Sequence, residues 1–264
     1  MNISLAPEIL FYIGKFGVSN AMLWSFVLSL VILIFTFFIR RNLKPVPGRI
    51  QAAVEIFFEG AYDFTRSVVG DDRKTKKIFP LVFTLFIFIL AANMATFIPG
   101  QSALTLQTED GVVPVFRAIM SDYGLVFLLT IIVVISTQIV AIAINGPFGY
   151  VGKYFNVKGI ASFFKLAVKG EFKPGLLAQG FLDLFLGLMD VVGEIAKIVS
   201  LSFRLFGNMF AGEVLTAVMM FLAPFFVPLP FMFLGILTAV VQAFVFSVLT
   251  LIFITMASET QAVE

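Results

Sequence analysis

The chain has 264 residues, 60% of them hydrophobic and only 13% charged, with a mean hydropathy of +1.04. A soluble domain of this size needs far more polar surface, so the bilayer is the solvent that fits. A net charge of +2 lacks the basic excess of a nucleic-acid binder, and the absence of cysteine and histidine removes disulfides, thiol chemistry and the usual haem, copper and zinc ligands, so no cofactor or metal is expected.

Taken in chain order, the segment before Ala21 lacks a basic n-region and reads as a short tail rather than a cleaved signal. Five apolar stretches follow, at approximately 21–39, 78–98, 123–145, 179–222 and 229–257. Each is long enough to cross about 30 Å of hydrocarbon as a helix. They do not alternate as barrel strands do, so helices are the spanning element. Between the first two, residues 47–69 place Ile50, Val54, Phe57, Ala61, Phe64 and Val68 at helical spacing, opposite Gln51, Glu55, Glu59, Asp63 and Arg66. This is an amphipathic helix, expected to start at Pro47 and to lie on the membrane surface or against the side of the bundle. The expected architecture is all-α and membrane-integral, in one domain over 1–264, with the last two spans forming a long, steeply tilted hairpin.

Lysine and arginine set the orientation. Segment 40–77 carries nine, segment 146–178 five, segment 99–122 only Arg117, and segment 223–228 none. The positive-inside rule then puts the N-terminus outside and the C-terminus in the cytoplasm.

The fourth apolar stretch holds an unusual set of charges. At 100° per residue, Asp183, Asp190, Glu194, Lys197, Arg204 and Asn208 fall within about 80° of one another, whereas Glu213 falls on the opposite side. Glu213 therefore needs its own partner, or a bend at Gly207 or Gly212. An intramembrane charge costs several kcal/mol, about 2.5–3.5 on insertion scales. Mutual neutralisation by Lys197 and Arg204 is the bland account of the stripe; a bundle needing only stability could use apolar residues instead. A helix over 179–222 would be about 66 Å long, twice the hydrocarbon thickness, hence the tilt. In the fifth span, Thr238, Gln242, Ser247 and Thr250 are placed to hydrogen-bond across to the fourth.

The run Leu201-Ser-Phe-Arg204-Leu-Phe-Gly-Asn208-Met-Phe-Ala-Gly-Glu213 resembles the signature of subunit a of F-type ATP synthases. Pro47-Gly48 with Gln51 and Glu55, Asn93 to Gly100, Ser121-Asp122, and Gln242-Ala-Phe244-Val-Phe246 resemble further segments of that family. Two positions depart from it: Gly235 stands where some members carry histidine, and Gly124 where asparagine is frequent.

The resemblance implies a proton-translocating stator subunit in a bacterial inner or organellar inner membrane, beside a ring of hairpin subunits that each carry a buried carboxylate, and held by a b-type peripheral stalk. Arg204 would face that ring and separate two half-channels. Asn208, Glu213, Gln242 and Asp122 would line the outer one, and Asp183, Asp190, Glu194 and Lys197 the inner one; alternatively Gln242 holds Arg204 in position. No phosphate-binding loop is present, so nucleotide chemistry is expected in other subunits, and no catalytic site in this chain. The rival reading is a secondary transporter with the polar stripe as a midplane substrate site. A purely structural subunit is the third.

Overall fold

A computed structural model describes residues 9–98, 105–108, 111–115, 117–145, 174–223 and 226–258. The basic segment 146–173 and the Pro99-Gly100 pair lie outside the described residues. Six helices carry the fold: α1 (Asn20–Arg41), α2 (Arg49–Val69), α3 (Asp72–Ala95), α4 (Tyr123–Asn145), α5 (Pro174–Leu222) and α6 (Pro228–Ser258). All but α2 are long and apolar enough to cross a membrane, the five spans expected from hydropathy.

Two short antiparallel hairpins join them. β1 (Ile9–Ile13) pairs with β2 (Phe16–Ser19), turning at Gly14 with φ 65°, which a glycine adopts without strain. β3 (Thr105–Thr108) pairs with β4 (Gly111–Pro114). Neither was expected from the sequence, where each is only a brief run beside a much stronger hydropathy signal.

Helix boundaries follow local chemistry. Ser19 caps α1 by accepting from the Met22 amide at 3.2 Å, and Arg40 and Arg41 sit in its last turn, where they complement the helix dipole. Inside α1, Ser25, Ser29 and Thr36 donate to carbonyls three or four residues back, which satisfies their hydroxyls within the helix. The cap of α2 is Gly48, so Pro47 precedes the cap rather than opening the helix. Gly70 ends α2 in the left-handed region (φ 76°), and Asp71 caps α3 at once by accepting from the Arg73 amide. The second span therefore begins at Asp72, six residues before the apolar run, and takes the basic cluster into its first turns.

The chain divides into two compact units. One comprises residues 1–130 and 201–251, the other 131–200 and 252–264. In the first, the core runs along α3 through Ile78, Val82, Leu85, Ile89 and Ala92, with Leu201, Leu205 and Met209 from α5 and Ala239, Ala243 and Phe246 from α6. The amphipathic helix packs its aromatic side on α3. Phe58 meets Phe79 and Phe83, Tyr62 meets Phe79, and Phe57 meets Phe86; Phe64 meets Phe244 of α6. The helix thus packs along the side of α3, and many of its other side chains, Ile50 and Ile56 among them, stay exposed. In the second unit, α4 buries Val133, Thr137 and Ala141 at helical spacing.

Candidate functional site

The signature run sits in α5, which is helical without interruption from Pro174 to Leu222. At ~1.5 Å per residue its 49 residues span about 74 Å. Leu201, Leu205 and Met209, each four apart, are buried and define the face turned to the protein. Arg204, Ala211 and Leu215 lie to one flank of that face and are exposed, and Asn208 is exposed at its edge. Arg204 makes no hydrogen bond or ion pair among the described residues. An added Cβ at Gly207 would meet nothing within 4 Å, so the surface one turn beyond Arg204 is open and small.

Glu213 is nine residues from Arg204, about 180° around the helix. It is half-buried, and its Oε2 is buried with no hydrogen-bond partner among the described residues. No break at Gly207 or Gly212 returns it to the Arg204 face. A buried polar oxygen without a donor is costly, so Glu213 is the carboxylate of the run whose hydrogen bonding its own helix leaves incomplete.

Asn208 donates through Nδ2 to Gln242 Oε1 at 2.7 Å, joining α5 to α6. Gln242 is buried, and its Nε2 has no partner among the described residues. Gln242 therefore holds Asn208 rather than Arg204. Three other polar residues of α6 turn back on their own helix. Thr238, Ser247 and Thr250 donate to Leu234, Ala243 and Phe246 of their own helix, because a carbonyl four residues back is the nearest acceptor in an apolar setting. The crossing contact that sequence reasoning missed is Asn93 of α3, whose Nδ2 donates to the Ala239 carbonyl at 3.2 Å.

Asp122 is buried and caps α4, accepting from the Gly124 amide at 2.9 Å and the Leu125 amide at 3.4 Å. Gly124 suits the arrangement, since a Cβ there would lie 3.3 Å from Asp122 Oδ1.

The expected inner residues lie earlier on α5, in the second unit. Lys197 pairs with Glu194 at 2.7 Å, and its ammonium sits 4.8 Å from the centre of the Phe253 ring of α6. Asp190 is exposed and makes no ion pair among the described residues; the side chain of Asp183 lies outside them. Nothing in the sequence singles out Phe253 from the other 33 phenylalanines.

Residues 22–255 match the family described as ATP synthase A chain. The chain belongs to that family. Similar proteins of the family include ATP synthase subunit a of Moorella thermoacetica, 29% identical over 94% of both chains. Subunit a 2 of Vibrio campbellii is 32% identical over 93% of this chain and 91% of its own. Subunit a of Campylobacter concisus is 28% identical over 89% of each. Family membership and the five apolar helices make the chain a multi-pass membrane component of ATP synthase, concerned with proton transport and ATP synthesis. Within the family pattern, the departure at Gly235 has a structural counterpart. A Cβ built there would lie 2.8 Å from Cζ of Phe97, so this ring lies directly against the glycine.

Proposed function

We propose that this chain is the proton-conducting stator of its ATP synthase, acting as one membrane domain, with Arg204 as the cationic barrier between two half-channels. Arginine stays protonated in any protein setting, so it cannot relay protons. It attracts a deprotonated carboxylate on a passing ring helix, lowers that group's pKa and forces proton release. A fixed cation also repels a proton moving straight across.

The observation that carries this reading is the exposed Arg204 without a partner among the described residues. A guanidinium at that depth costs several kcal/mol unless something neutralises it, which calls for an external carboxylate. The open surface at Gly207 and the small side chain at Ala211 suit close approach of a partner helix. Glu213, Asn208 and Gln242 form the outer route, which runs from the Glu213 side of the helix to Asn208 beside Arg204, and Asp190 the inner route, with Glu194 and Lys197 beside it. Asp122 joins the outer route by family resemblance, and Asp183 the inner route by its place on α5 before Arg204. With the N-terminus outside and the C-terminus in the cytoplasm, protons pass from the Glu213 end of α5 toward the Asp190 end.

Ala211→Cys tests the ring-facing surface in a chain that has no native cysteine. With a cysteine scanned along the outer helix of the co-purified ring subunit, a disulfide should form at Ala211 and not at the buried Met209→Cys. Crosslinks from Met209→Cys alone, or solute uptake by the chain in liposomes without a ring, would overturn the assignment.

A further inference from the structure

We propose that the first unit carries a binding site for an anionic phospholipid, formed where α2, α3 and α6 meet. A shallow groove of about 130 Å³ is lined there by Phe57 and Phe64 of α2, Phe83 and Phe86 of α3, and Phe244 and Leu251 of α6. Its two hydroxyls are already satisfied. Thr65 donates to the Ala61 carbonyl and Ser247 to the Ala243 carbonyl, so the lining presents no polar demand and suits a hydrocarbon chain.

The end of the groove at the α2–α3 turn is strongly basic. Residues 66–77 carry five lysines and arginines against Asp71 and Asp72, a net charge of +3. Asp72 is shared: Arg66 lies 3.7 Å from its Oδ1 and Lys76 3.1 Å from its Oδ2, and the Tyr62 hydroxyl donates to Oδ1 at 3.0 Å. One carboxylate cannot neutralise both cations. Asp71 caps α3, and the side chains of Arg73 and Lys74 make no ion pair among the described residues. Lys76 precedes Phe79 by one turn of α3, on nearly the same face as the aromatic lining. An apolar slot that opens onto excess positive charge within one or two helical turns fits an amphiphile with a negative headgroup, in the leaflet that borders the basic segment.

The test uses the full chain, in its complex and alone, reconstituted in vesicles that contain phospholipids brominated on the acyl chain. Phe57→Trp places a fluorophore on the exposed edge of the groove, and Phe86→Trp repeats the measurement from α3 should the first variant fold poorly; the parent protein supplies the background of Trp24 and of the other subunits. Brominated phosphatidylglycerol should half-quench the new tryptophan at a mole fraction at least about threefold lower than brominated phosphatidylcholine. Each lysine or arginine near the surface favours an anionic headgroup by roughly fivefold. Arg73→Gln combined with Lys76→Gln should bring the two lipids close to equality. Equal quenching by both lipids in the parent background would overturn the proposal. So would a tryptophan shielded from both lipids in the complex but quenched by both in the isolated chain, since a protein segment would then own the groove.

Discussion

Replacing Arg204 by lysine keeps a long, basic side chain but exchanges a permanent charge for a removable one. Arg204 is exposed and has no partner among the described residues, so its field is available to an approaching carboxylate. At about 4 Å and an effective dielectric constant near 20, that attraction is about 4 kcal/mol. Such proximity lowers a carboxyl pKa by about 1–3 units, a tenfold to thousandfold gain in ionised carboxylate. A lysine in the same place carries a charge that desolvation can remove, whereas the guanidinium keeps its own. Whenever that lysine is neutral the barrier is missing, and a lysine that gains and loses a proton can carry protons across. ATP synthesis driven by an imposed proton gradient in proteoliposomes should fall by at least about tenfold in Arg204→Lys, with assembly of the complex unchanged. A proton crossing 100 mV releases only about 2.3 kcal/mol, so a leak at this point removes the work that drives rotation. Synthesis at the parent rate in well-assembled Arg204→Lys complexes would refute the barrier role.

Glu213→Gln removes the one buried, unpartnered carboxylate oxygen of the signature run; proton flux should drop severalfold while complex yield stays at the parent level, and an unchanged flux rules Glu213 out of the outer route. Gln242→Leu breaks the 2.7 Å bond from Asn208 and should cost about 1–3 kcal/mol, because it strands a polar group; thermal unfolding of the detergent-solubilised complex reads this directly. Asp122→Asn separates capping from proton conduction. Asparagine caps a helix about as well as aspartate, whereas alanine costs about 1 kcal/mol. If Asp122 only caps α4, Asp122→Asn keeps both stability and flux; if it conducts, flux falls at unchanged stability.

The spans were legible because about 20 apolar residues in a row have few alternatives, and α1, α4 and α6 start or end within two residues of their hydropathy limits. The start of α3 was not, since four basic residues mask a helix that Asp71 caps. Both hairpins escaped notice because their information lies in pairing across a turn, which hydropathy does not record. The opposite placement of Arg204 and Glu213 followed from helical arithmetic alone, and continuity of α5 preserves it. The partners of Gln242, Lys197 and Asp122 did not follow. Hydrogen-bond choice depends on which helix face meets which neighbour and on the nearest backbone group, and spacing along one helix carries neither.

Phe97 sits on Gly235 closely enough that even a methyl group at 235 requires its ring to move. The two positions therefore compete for one space: a larger side chain at 235 needs the ring at 97 to turn aside or give way to a smaller residue. What fills the gap between the end of α3 and α6 is thus set jointly by two residues 138 positions apart in the chain.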